Sequence, residues 1–207
     1  IAQTLRERVI DGTYAPGERL REAALREEFG FSNGPIREAL QRLVAEGLAH
    51  RAPWQGVRVI SLTQEEIVEL FELRSALLEY AAERAAERAG PEDVASASVL
   101  RRLLARKHAA ARAGHPEPVS GATTGWVVGV ARNRQIAAVW EATMLKSRIY
   151  IYRAMQRTAG VATGPIVERL IDAVLAHNPC LAREAARELN DQMLAGAGIE
   201  PHVNRSS

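Results

Sequence analysis

The chain has 207 residues, a net charge of +2, 47% apolar and 25% charged residues, and a single cysteine. That length holds one large domain or two small ones, and the composition is that of an ordinary globular protein. No apolar run approaches the roughly 20 residues needed to cross a bilayer, and no signal-peptide pattern opens the sequence. Cys180 alone excludes an internal disulfide and fits a reducing cytosol.

Bulk charge does not mark a nucleic-acid binder either. Residues 1–62 hold nine Arg against eight Asp and Glu, so any such reading must rest on where the Arg residues sit. Aromatics at 5% with abundant Ala, Leu, Arg and Glu favour helix over sheet. Ile1 is not a Met and stands where a helix already runs, so the sequence is expected to begin inside the native chain.

In chain order, residues 1–12 place Leu5, Val9 and Ile10 on one side of a short helix that Gly12 can end. Pro16-Gly17 marks a turn. A second short helix, about 21–29, presents Ala24, Leu25 and Phe29; Gly30 supplies a tight turn and Phe31 is expected to plug the corner. Ser32 is a good N-cap for the next helix, with Pro35 in its first turn. There Ile36, Leu40, Leu43 and Val44 form an apolar stripe, and Asn33, Arg37, Gln41 and Arg42 occupy the opposite side. Gly47 closes that helix. His50-Arg51 and Val57-Arg58-Val59 can then pair as strands around the turn from Pro53 to Gly56.

From Thr63 onward the pattern is long helices without strand signals. Thr63 to Glu66 reads as a capping box opening a helix to about residue 89. Further helices are expected at about 92–113, 119–131, 133–157, 165–177 and 179–195, broken at Gly90-Pro91, Gly114 to Pro116, Asn133, Gly160 to Pro165 and Asn178-Pro179. Six helices with short joints make a bundle. The fold class is therefore mainly α, a winged helix-turn-helix over 1–62 followed by an all-α six-helix bundle over 63–196, with a loose tail at 197–207.

Asn and Arg side chains at the start of a helix clamped by another helix suit major-groove reading. Arg can be bidentate to guanine, Asn can pair with adenine, and the helix N-terminus and the Ser32 hydroxyl can meet phosphate. The wing tip Gln55-Gly56 can approach the minor groove, with Arg51 and Arg58 placed to meet phosphates nearby. The bland alternative is that Arg37 and Arg42 are solvated helix residues in i, i+4 pairs such as Glu38 with Arg42.

The segment PGERLREAALREEFGFSNGPIREALQRLVAEGLAHRAPWQGVRV resembles the winged helix of the gluconate-repressor (GntR) family of bacterial transcription regulators. The resemblance covers residues 2–62 and is densest at PGERLREA, at the S-x-x-P-[IV]-R-E-A-L core and in the passage from EGL into the wing. It implies DNA contacts from Ser32, Asn33, Gly34 and Arg37, with Gln55 and Gly56 at the wing. The family usually has Arg-Thr where this chain has Asn33-Gly34. The resemblance then implies an altered operator and lower affinity.

The helical half is similar to the ligand-sensing FCD domain of the FadR-type subfamily. ELRSALLEYAAERAA matches its first helix, NRQIAAVWEATMLKSRIYIYR its central helix and ERLIDAVLAHNPCLAREAARELNDQML its closing pair. Six helices suggest the smaller, vanillate-regulator-like branch. The likeness implies a homodimer that binds a palindromic DNA operator, senses a small molecule such as a carboxylate, and is a repressor rather than an enzyme. A cytoplasmic protein with no membrane partner is expected.

Independently of the family, the first long helix buries Ile67, Leu70, Phe71, Leu77, Leu78 and Ala81 with Arg74 in the middle of the stripe. A buried cation needs an anionic partner, either a bound carboxylate or a Glu from a neighbouring helix. Arg148, between Met144 and Ile151, is a second ligand candidate.

Many members of the subfamily bind a divalent metal through one Asp and three His. By alignment those positions fall here on Ser120, Thr124, Val167 and Leu189, so all four ligands are absent. His50, His108, His115, His177 and His202 do not replace them. A metal-free pocket with no cofactor is expected, with Ser120 and Thr124 offering hydroxyls and Trp126, Trp140, Tyr150 or Tyr152 as walls; core packing is the default for Trp140. Two other readings stand beside the regulator. One is a regulator that has lost its effector and binds DNA constitutively. The other is an enzyme on the bundle with the winged helix as a docking module, although no catalytic set is legible and Cys180 after Pro179 has no implied base.

Overall fold

The computed structural model describes residues 1–112, 121–157 and 164–196. Three short helices come first: α1 (Ala2–Ile10), α2 (Glu22–Phe29) and α3 (Asn33–Ala45). Strands β1 (Arg19–Leu20), β2 (Ala49–Ala52) and β3 (Gly56–Val59) form an antiparallel sheet in the order β1-β3-β2. The apolar stripe of α3 explains its seat, since Ile36, Leu40 and Leu43 are fully buried against Leu5 and Val9 of α1 and Leu25 of α2. Gly30 caps α2 in the left-handed region at φ 70°, a conformation that strains any residue with a Cβ.

Several expectations for this head need correction. The wing is not a lone hairpin, because Leu20 and Arg19 add a third strand opposite Val57 and Arg58. Phe31 does not plug the corner: it is 49% exposed, and Phe29 packs against the core with the Arg8 guanidinium 4.9 Å from its ring centroid. Ala24 is exposed rather than inward, and Val44 is only half-buried while Ala39 joins the stripe.

Beyond the sheet come α4 (Gln64–Arg88), α5 (Pro91–Arg112), α6 (Ala122–Val130), α7 (Arg134–Arg157), α8 (Gly164–Leu175) and α9 (Pro179–Gly196). The capping box forms as expected: the Thr63 Oγ1 accepts from the Glu66 N–H at 3.2 Å and the Glu66 carboxylate accepts from the Thr63 N–H at 2.7 Å. The most extensive packing is between α4 and α9. Ala81, Ala82, Ala85 and Ala86 on one side and Ala182, Ala185 and Ala186 on the other are all fully buried, and side chains this small bring the two helix axes close. Arg132 ties the far end together, donating to the Asp93 carboxylate at 2.8 Å and to the Arg88 carbonyl at 2.6 Å.

The head and bundle are not joined by the link at Leu62 alone. Ile149 of α7, fully buried, belongs to the apolar core of the winged helix, and Leu145 and Tyr150 pack against that core. The Tyr150 hydroxyl accepts from the Leu62 N–H at 2.7 Å. One helix of the bundle therefore supplies part of the head's interior.

Candidate nucleic-acid interface and buried arginine

The first turn of α3 is open to solvent. Ser32 occupies the N-cap with φ −72° and ψ 174°, yet its side chain makes no capping hydrogen bond. Ser32, Asn33 and Gly34 are all exposed. An uncapped helix N-terminus presents unpaired N–H groups and the positive end of the helix dipole, which suits an incoming phosphate. Arg37, one turn further, donates to the Glu22 carboxylate of α2 at 2.8 Å. Arg42 pairs with Glu38 at 2.9 Å, the local i, i+4 arrangement. Both are exposed ion pairs, worth a few tenths of a kcal/mol to about 1 kcal/mol each, and a stronger anion can exchange them.

The sheet register sorts the wing residues by face. Arg19 and His50 both stand opposite Arg58, so the three lie in one row across the strands on the face away from buried Val57 and Val59. Arg51 pairs with Val57 and has the other parity, so Arg51 and Arg58 lie on opposite faces. Arg58 also holds the tip: it donates to the Gln55 side-chain oxygen at 3.0 Å and to the Gly17 carbonyl at 2.8 Å. Gly56 needs its φ of 80° to turn the strand. Arg19 escaped sequence reasoning because a two-residue strand has no alternation to read. Trp54 also did: it is fully exposed, at 101%, with φ 61°.

In the bundle, Arg74 is only 6% exposed. Its guanidinium lies over the Trp140 ring with Cζ 3.7 Å from the centroid. The Nη1 group donates to the Thr143 hydroxyl at 2.9 Å and to the Trp140 carbonyl at 3.4 Å. Among the described residues no carboxylate pairs with it, so no Glu from a neighbouring helix supplies the counter-charge. Burial pulls its pKa down to about 10, which leaves it protonated at neutral pH. The buried Nε1 of the same Trp140 ring has no acceptor. Among the described residues, then, a cation without a carboxylate partner and an unpaired donor share one indole.

The other ligand candidates are placed differently. Thr124 is buried but donates to the carbonyl of Gly121, the N-cap of its own helix, at 3.1 Å. Trp126 donates to the Ser96 hydroxyl at 2.9 Å and so links α6 to α5 rather than standing as an open wall. Arg148 is half-buried on α7, and no ion pair to it is seen among the described residues. Val167 and Leu189 are core residues. His177 follows α8 in the turn before α9, with φ 53°, and its Nδ1 lies 2.9 Å from the Ala86 carbonyl. Cys180 is exposed. Ser120, His115, His202 and the Tyr152 side chain lie outside the described residues.

Residues 1–59 match the family model of bacterial regulatory proteins of the gntR family. The chain is 32% identical over 105 residues to the transcriptional repressor GlaR of Escherichia coli, covering 51% of this chain and 48% of that protein. It is 39% identical over 84 residues to the gluconate operon transcriptional repressor of Bacillus licheniformis, covering 41% and 34%. In both, the matched part spans less than half of the relative. The solved structure of E. coli McbR/YncC superposes with a TM-score of 0.75 at 23% identity, covering 95% of this chain and 94% of that one. At that identity the likeness concerns the fold, which extends over head and bundle together. The family model describes bacterial regulatory proteins, and both of these relatives are named as transcriptional repressors.

Proposed function

We propose that this chain, whose residues 1–59 form a winged helix of the gntR family, is a ligand-responsive DNA-binding transcription regulator that acts as a repressor. Its working form is a cytoplasmic homodimer on a palindromic operator, with one α3 per half-site. The observation that carries the reading is that one small domain holds both the open first turn of α3 and the basic row of the wing. Ser32 and the helix N-terminus meet phosphate, Asn33 and Arg37 read base edges, Gly34 allows close approach, and Arg42, Arg51 and Arg58 meet the backbone or hold the wing. Gln55 and Gly56 reach the minor groove.

The bundle is proposed as a metal-free FCD-type sensor of the six-helix branch, its effector an organic anion held by Arg74. Arg148, Ser120 and Thr124 are the further ligand candidates. The unmatched charge of Arg74 and the unpaired Nε1 of Trp140 support this, since one acidic ligand satisfies both. Trp140 and Thr143 are on α7, and Ile149, six residues past Thr143 and about 9 Å along the helix, lies in the head's core. An anion that draws Arg74 away from α7 changes the seat of the head, coupling the two sites by a few kcal/mol at most.

Selection of the full-length chain against random duplex DNA tests the reading. A two-fold-symmetric motif whose binding weakens steeply with salt is expected; failure to enrich any sequence overturns it. A thermal-shift screen with carboxylates, with and without EDTA, tests the sensor. Stabilisation by an organic acid that EDTA leaves unchanged is expected, and a loss of stability on adding EDTA alone refutes the metal-free pocket.

A further inference from the structure

An indole standing wholly in water at the tip of a hairpin is unfavourable twice over. It exposes a large apolar surface, and at φ 61° Trp54 also sits in the left-handed region that residues with a Cβ avoid. Nothing in the fold compensates: among the described residues Trp54 makes no hydrogen bond and no cation–π contact. Residues held in a strained backbone conformation gather at functional sites, and here the strained residue is also the one standing free in solvent. The partner's charge is set by the neighbourhood, because Trp54 lies in the turn between β2 and β3, and the sheet behind that turn carries Arg19, Arg58 and His50 in one row. Gln55, held by Arg58, and Gly56, which offers no side chain, flank the indole. An anionic surface with a narrow apolar slot fits this tip, and the minor groove has both, in its phosphate rims and its deoxyribose walls.

We infer that Trp54 is a minor-groove reader that selects A·T pairs at the edges of each half-site. This rests on the regulator reading above. The indole is flat enough to lie between the sugar walls, and its one polar atom, Nε1–H, is a donor only. In the minor groove A·T and T·A present acceptors alone, adenine N3 and thymine O2, whereas G·C adds the guanine N2 amino group. That amino group faces the indole N–H donor to donor and fills the floor of the groove. Trp54 therefore accepts either orientation of an A·T pair and rejects G·C, which extends the sequence read by α3 without a further major-groove contact.

The test uses the full chain. Motifs are selected from random duplex DNA with the wild type and with Trp54→Ala, a change at an exposed site that leaves the fold untouched. Both are expected to share the core read by α3, and only the wild type to enrich A·T at the flanks. On one selected operator the flanking A·T pairs are then replaced by G·C or by inosine·C, which lacks the amino group but keeps a G-like major-groove edge. The wild type is expected to lose about 10-fold in affinity on G·C, the scale of one mismatched pair, and to recover on inosine·C. Trp54→Ala should bind all three alike, and Trp54→Phe should retain affinity with weaker discrimination. Identical motifs for wild type and Trp54→Ala overturn the inference, as does inosine·C binding as poorly as G·C. Enrichment of no DNA by either protein instead overturns the regulator reading itself.

Discussion

Replacing Arg74 by methionine isolates the buried cation. Burial lowers its pKa from the ordinary arginine value to about 10, and at about 1.4 kcal/mol per pKa unit this is a penalty of roughly 3 kcal/mol. The folded value lies below the unfolded one, so the penalty is fully present at every pH below about 10 and is relieved only as pH rises from there toward the ordinary arginine value. Opposing it are the Trp140 face, worth about 2 kcal/mol for a desolvated cation, and two hydrogen bonds of about 1 kcal/mol each. Methionine keeps the reach and packs well on an indole. It also orphans nothing, because the Thr143 hydroxyl has acceptors in the Val139 and Trp140 carbonyls at 3.0 and 3.1 Å. Without ligand, Arg74→Met should melt no lower than the wild type and up to about 4 °C higher by calorimetry, at 2–4 °C per kcal/mol for a chain of this size. In the same assay, any stabilisation of the wild type by an organic acid should vanish. A variant destabilised by about 3 kcal/mol or more would refute the reasoning, since that is the signature of a structural partner removed from a satisfied network.

Four further outcomes are expected. Ile149→Ala should cost about 2–5 kcal/mol in chemical denaturation and weaken operator binding, although the residue is outside the head. Trp54→Asn should raise stability by about 1 kcal/mol, because Asn tolerates the left-handed region that Trp does not; an unchanged or lower melting temperature counts against strain there. Glu22→Ala should release Arg37 and tighten DNA binding several-fold at low salt, an effect that fades as salt screens it; filter binding at two salt concentrations reads it. Desolvation tends to raise the Glu79 pKa, but hydrogen bonds from Arg187 and Arg183 outweigh it and hold the value below the ordinary 4.5. Its contribution is thus present above that value and lost as pH falls through the lower, folded one. Glu79→Gln should flatten the acid limb of stability against pH.

How far the sequence carried depends on how local each cause is. Thr63 with Glu66, Gly90-Pro91 and Asn178-Pro179 act within a few residues, and they mark helix ends that the structure reproduces closely. Gly30 is equally local. The corner beside it is not, because Phe29 and Phe31 compete for one place and Arg8, from another helix, stands over the winner. Strand β1 is two residues long and exists only because β3 offers an edge. That Arg74 is buried follows from its position in an apolar stripe, but that its neighbour is the face of Trp140 is a fact of tertiary packing no spacing contains. Ile149 is the extreme case: its helix belongs to the bundle, and its side chain completes the head.

The shared side chain at Ile149 bears on any exchange of this winged helix for another. A recombination joint near Leu62 transfers a winged helix with a hole in its interior, and the recipient's seventh helix must fill it with a matching shape. Head and bundle therefore form a matched pair, and working chimeras need a second seam at Leu145 to Tyr150 as well as the first.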